Sequence, residues 1–194
     1  IVSIAKACED AGADGISLIN TLLGMDDSFE GGWAFTVNKD GHPRVMIRNK
    51  AGYNTTATYI FKNVDVATGN KVHMAIVIDT ANKKMHCYIN GELAQTISGI
   101  TKATKFGTKD LPIVGGDYKG GNSSYFTGTI HSISAWSDMR SEAEIVSDFK
   151  KGASLSDSKL LCSYDFTKCD SCMLKDLSTK HNDISVLKLW LNKN

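Results

Sequence analysis

No stretch of this chain concentrates charge of one sign. Its 22 Lys and Arg stand against 21 Asp and Glu, a net charge of +1. Nothing in that balance indicates nucleic acid or an anionic membrane surface as a partner. No apolar run approaches the roughly 20 residues of a membrane span, so membrane insertion is not expected. Neither an initiator Met nor a positively charged leader precedes Ile1, so any signal peptide is expected to lie outside this chain. Prolines are scarce: Pro43 and Pro112, both at the start of an apolar run, where a missing N–H costs least. The sequence also lacks G-x-S-x-G, H-E-x-x-H and any phosphate loop. A glucanase-type sandwich would need same-face acids such as E-x-D on a strand, and none is present. An enzyme is therefore not expected.

The five cysteines give little more. Cys162, Cys169 and Cys172 cluster in CSYDFTKCDSC, while Cys8 and Cys87 stand apart. That spacing, even with His181 recruited, matches no common zinc module. A disulfide within the cluster if the protein is exported, and free thiols if it is not, both stay open. An odd count leaves at least one thiol without an internal partner.

What is present is period-two alternation between turns, in a chain of 194 residues that can bury a full core. WAFTVN and PRVMIR flank NKDGH and read as a hairpin; TATYIFKN is another alternating segment. KVHMAIVID, KKMHCYIN and ELAQTIS read as a meander, with Asn90-Gly91 as its strongest turn. LPIVGG, YFTGTIHSISAW, KLLCSYDF and DISVLKLW supply further strands. Ser141-Glu-Ala-Glu144 is a capping box that starts a short helix near 141–150, with Ile145, Val146 and Phe149 as its apolar face and Gly152 as its stop. The opening differs. Ile1, Ile4, Cys8 and Ala11 share one helical face, GISLINT follows as a buried strand, and DDSFEGG reads as a loop. These elements imply an all-β fold: an antiparallel β-sandwich or jelly roll, with one short helix and an N-terminal helix-strand segment.

Three segments carry a family resemblance. KVHMAIVIDTANKKMHCYINGELAQT, PIVGGDYKGGNSSYFTGTIHSISAWSDMRSEAEI and KLLCSYDFTKCDSCMLKDLSTKHND resemble the meander, the closing glycine-loop strand and the Y-D-F…D-L-S element of the laminin G-like, concanavalin A-like lectin family. The resemblance covers roughly residues 33–190. It implies a jelly-roll sandwich that binds glycan or protein, extracellular or on a cell surface. The Y-D-F…D-L-S element usually opens such a module and here comes last, so 160–194 either closes this sandwich or begins a second repeat. IAKACEDAGADGISLINTLLGM separately resembles a helix-strand unit of the dihydroorotate dehydrogenases, FMN-dependent (β/α)8 barrels. That resemblance implies a substrate-holding role for Asn20, beside Thr21. The other barrel units are missing, so no flavin is expected. The organisation that follows is a barrel-like segment at 1–26 and a sandwich at 27–194.

Candidate ligand contacts lie in the loops 26–32, 49–56 and 117–125, since a sandwich holds its variable loops on rigid sheets. Asp117, Tyr118, Asn122 and Tyr125 are the expected ligand-binding residues. Asp26, Asp27 and Glu30 offer the hard oxygen ligands that Ca²⁺ prefers, which makes calcium the one cofactor suggested. Trp136 reads as buried core, and His73 and His131 as packing or surface residues. The expected function is a non-catalytic carbohydrate- or protein-binding module of a larger surface protein. A flavoenzyme fragment and a structural spacer are the alternatives.

Overall fold

Asn38 builds the first hairpin. Its side-chain oxygen accepts from the backbone N–H groups of Asp40 (3.0 Å) and His42 (2.9 Å), folding NKDGH into a closed turn. Gly41 sits at φ +84, and a Cβ there would strike the Asp65 carboxylate, so the position requires glycine. On either side, β2 (Gly31–Val37) and β3 (Pro43–Arg48) pair antiparallel from Gly32↔Arg48 to Val37↔Pro43. In this computed structural model the described residues are 20–27, 31–48, 56–100, 113–114, 128–168 and 173–185. They form two compact units that divide after Gly128.

The first unit holds two antiparallel sheets. One has the order β4-β3-β2-β1-β8, with β1 at Asn20–Asp27, β4 at Thr56–Ile60 and β8 at Ile113–Val114. The other is the expected meander of β5 (Met74–Asp79), β6 (Lys84–Ile89) and β7 (Glu92–Ser98). Register sets the faces: Phe35, Val37, Val45, Ile47 and Tyr59 share one, and Val37, Val45 and Ile47 are almost wholly buried. The chain leaving β4 adds Phe61, Val64 and Val66, all buried. Each such side chain contributes about 1.5–3 kcal/mol, more than any single turn hydrogen bond. In the meander, Met85 and Cys87 on one face of β6 have no exposure. Burial pushes the Cys87 thiol up to about 12. Asn90 and Gly91 both take positive φ, as a two-residue hairpin turn demands. Gln95 of β7 accepts from the Asn63 backbone N–H at 2.9 Å, tying the meander to the segment after β4.

Strand β1 differs from expectation in its bounds. It begins at Asn20, late in GISLINT, and runs on through Asp27, because Asp26 and Asp27 pair with Gly32 and Gly31 and lengthen the hairpin. Residues 14–19 lie outside the described residues. Its pairing is antiparallel to both neighbours, β2 and β8, as the expected sandwich requires, whereas a barrel strand runs parallel to its neighbours. The barrel architecture implied by the flavoenzyme resemblance is therefore not the one this strand adopts.

The second unit contains β9 (Ser132–Trp136), helix α1 (Glu142–Lys151), β10 (Leu160–Asp165), a 3₁₀ turn (Phe166–Lys168), β11 (Met173–Leu174) and β12 (Ile184–Ser185). The capping box forms as read: Ser141 Oγ accepts from Glu144 N, and the Glu144 carboxylate accepts from Ser141 N at 2.7 Å. Those bonds from Ser141 hold the Glu144 carboxyl below the usual carboxylate range. Ile145 is buried, but Phe149 is 42% exposed, so the apolar face is narrower than expected. Strand β9 is shorter than YFTGTIHSISAW suggested, because β10 gives it a partner only from Ser132↔Asp165 to Trp136↔Leu160. Of DISVLKLW, only Ile184–Ser185 is described as strand.

Two polar assemblies hold this unit. Arg140 lies 4.7 Å over the Trp136 ring, which is half-buried rather than fully buried as expected. Its guanidinium donates to Asp148 (3.0 and 3.1 Å), Glu144 (3.1 Å) and Asp157 (2.6 Å), joining β9, α1 and the loop before β10. Asp176 is the second centre. This buried carboxylate accepts from Ser163 N (2.8 Å), Ser178 N (3.0 Å), Ser178 Oγ (2.8 Å) and Asn182 N (2.9 Å). Burial alone would raise its pKa; the hydrogen bonds from Ser163, Ser178 and Asn182 outweigh it and hold the carboxyl below its ordinary value. Tyr164 Oη donates to Asn182 O at 2.7 Å, and burial pushes this phenol up to about 12.

Replacing Arg140 by Ala leaves three carboxylates facing one another and should destabilise this unit by about 3 kcal/mol in denaturant titration. Arg140→Lys should recover only part, because one ammonium cannot reproduce the planar fork. The folded Asp176 pKa lies below the ordinary unfolded value of about 3.9. Its stabilisation is therefore complete above that pH and is lost as pH falls through the folded value. Hydrogen-exchange protection of the Ser163 and Ser178 amides should collapse in that acidic range, and Asp176→Asn should flatten the dependence.

Candidate functional site

The pairing that buries Val45 and Ile47 turns Arg44 and Met46 to the opposite face of β3. Cross-strand register places Thr36 opposite Arg44, Ile60 opposite Arg44 on the other side, and Thr58 opposite Met46. A polar patch with apolar flanks results on β2, β3 and β4. Thr36 has no exposure, Arg44, Met46 and Ile60 are half-buried, and Thr58 is exposed. Arg44 Nε donates to Thr36 Oγ1 at 2.8 Å, and Thr36 Oγ1 donates to the Arg44 carbonyl at 3.3 Å. This reciprocal pair fixes the plane of the guanidinium. Burial draws the Arg44 pKa down from its ordinary value. No carboxylate pairs with Arg44 among the described residues, and its Nη1 and Nη2 groups make no hydrogen bond there.

Arg140 shows the contrast. Its nitrogens are taken up by Asp148, Glu144 and Asp157, so the open cleft of about 590 Å³ beside α1 is floored by a satisfied ion cluster. The Arg44 face instead presents unused donors, a hydroxyl and aliphatic surface. That is binding chemistry: orientation by hydrogen bonds, contact area from Met46 and Ile60.

The structure places the expected site residues as follows. Asp26 and Asp27 close β1, and Glu30 lies outside the described residues. Among the described residues no group of three His, Cys, Asp or Glu is arranged to hold a metal ion. Asp117, Tyr118, Asn122 and Tyr125 lie outside the described residues, as does the 49–55 part of the second loop. Asn20 opens β1 opposite Val37, and Thr21 lies opposite Thr36. His73 is half-buried, as is His131, whose carbonyl accepts from Phe166 N at 2.9 Å. Cys87 and Cys162 are free thiols, and Cys169 and Cys172 lie outside the described residues. Arg44 is the residue that sequence reading passed over. Its signal was a cation near the start of a strand, in PRVMIR, which register sets between Thr36 and Ile60.

With this geometry in place, the comparisons assign the fold. The chain belongs to the concanavalin A-like lectin/glucanase superfamily, whose laminin G-type model matches residues 10–146. The match starts inside the segment that resembles the flavoenzyme, and the dihydroorotate dehydrogenase resemblance finds no support. No curated protein matches the chain. Among solved structures, a candidate carbohydrate binding protein from Bacteroides ovatus aligns with TM-score 0.58 and 18% identity, over 86% of this chain and 48% of its own. The chain thus spans about half the length of that protein. The CBM40 module of the Ruminococcus gnavus IT-sialidase aligns with TM-score 0.49 and 19% identity, over 69% of this chain and 77% of that module. A heptameric SAP-like pentraxin from Limulus polyphemus aligns with TM-score 0.48 and 15% identity, over 70% and 66%.

Thr36→Val should cost about 1 kcal/mol by leaving the Arg44 Nε–H without its acceptor. The Arg44 Nε proton, slowly exchanging in the parent, should become fast-exchanging in the variant by NMR.

Proposed function

We propose that this chain is a non-catalytic carbohydrate-binding module of a longer extracellular or cell-surface protein. The observation that carries the reading is the Arg44 guanidinium, fixed by buried Thr36 on an antiparallel sheet with the exposed Thr58 on the same face. Sugars are recognised by such fixed donors and acceptors together with aliphatic or aromatic surface against their C–H faces. Membership of a lectin-containing superfamily supports the reading, as does the likeness to the Bacteroides candidate carbohydrate binding protein. Asp117, Tyr118, Asn122 and Tyr125 are proposed to add ligand contacts from their loop. Asp26, Asp27 and Glu30 are proposed as calcium ligands that would order the β1–β2 connection.

Affinity electrophoresis of the purified chain against neutral and acidic polysaccharides tests this, with and without a calcium chelator. At least one polysaccharide should retard the chain, and the double variant Asp117→Ala/Tyr118→Ala should be retarded less. A chain that runs unretarded in every gel, calcium or not, is no carbohydrate-binding module.

A further inference from the structure

We propose that the Arg44 face selects glycans that carry a carboxylate, a hexuronic or similar acidic sugar; this deepens the carbohydrate-binding reading and rests on it. A guanidinium has donors on Nε and on both Nη groups. In Arg44 the Nε–H is spent on Thr36 Oγ1 at 2.8 Å, and that hydroxyl is itself held by the Arg44 carbonyl. The end-on pair, one N–H from each Nη, is left directed away from Thr36. That pair matches the two oxygens of a carboxylate in one plane, a charge-assisted and bidentate contact.

The surroundings narrow the ligand. Thr36, Arg44, Met46, Thr58 and Ile60 share this face, and the alternation of β3 puts Arg48 at a same-face register position. A carboxylate has two coplanar oxygens that the Nη pair can take at once, whereas attraction that follows charge density alone would favour a densely sulfated chain. Thr58 is exposed and offers a hydroxyl to a neighbouring sugar hydroxyl, and Met46 and Ile60 offer aliphatic contact to a pyranose C–H face. A half-buried guanidinium has lost part of its water, so an anion that replaces that water gains more here than at an exposed arginine. Arg140, whose three carboxylates already occupy its fork, has no such capacity.

The test is affinity electrophoresis of the full chain in gels containing polygalacturonate, its carboxyl-reduced neutral counterpart, or dextran sulfate. Retardation by polygalacturonate should exceed that by the reduced polymer at least about tenfold in apparent affinity, with little retardation by dextran sulfate. Arg44→Gln should remove the preference. Arg44→Lys, which keeps the charge and the aliphatic stem, should still lose about tenfold because an ammonium cannot make the paired contact. Equal retardation by the reduced polymer, or an unchanged preference in Arg44→Gln, overturns the proposal while leaving a neutral-glycan module standing. Retardation by dextran sulfate equal to that by polygalacturonate also overturns it, as general anion attraction. If no polysaccharide retards the chain, both readings fall.

Discussion

Strand β3 runs between β2 and β4, and its two antiparallel pairings decide what the first unit can be. They send Val45 and Ile47 to a face where Val37 is also buried, and Arg44 and Met46 to the other. A shift of one residue in either pairing would exchange those faces and place a guanidinium in the core. The register is held at its ends by local chemistry: Asn38 and Gly41 in the turn, and Phe61 N donating to Pro43 O where β4 ends. The buried core and the Arg44 face thus come from the same set of pairings.

The two units handle polar burial differently. In the first, a polar pair of one hydroxyl and one guanidinium is left with capacity to spare. In the second, Arg140 and Asp176 are saturated, one by carboxylates and the other by amide and hydroxyl donors. Saturated groups fix structure, since any competing ligand must first displace good hydrogen bonds. Unsaturated groups on a fixed frame are where a ligand gains free energy, and Arg44 is such a group.

Local signals were legible in the sequence. Asn90-Gly91 fixed one turn, Asp40-Gly41 in NKDGH another, and Ser141 with Glu144 the start of the helix, because each acts within a few residues. Alternation gave the meander and the β2–β3 hairpin for the same reason. Boundaries that depend on a partner were less legible. Strand β1 extends through Asp27 because Gly31 and Gly32 pair with its end, and β9 is short because β10 stops at Asp165. The role of Arg44 was hidden for a related reason. Thr36 and Ile60 are distant in sequence and meet it only through register, so nothing in PRVMIR alone marks the arginine. The Y-D-F…D-L-S element was recognisable as a motif, but its physical purpose required seeing Asp176 enclosed by Ser163, Ser178 and Asn182.

That enclosure has one further consequence. All the donors to Asp176 are neutral, so the clamp contains a single formal charge and no counter-ion for dissolved salt to compete with. The exposed pairs Lys159–Asp138 and Lys168–Asp165 are screened at high ionic strength, as surface ion pairs are. The Asp176 carboxylate is therefore vulnerable to protons and little touched by brine, whereas the neighbouring Lys175–Asp183 pair, whose carboxylate accepts from Asp176 N, is the part of this segment that salt screens.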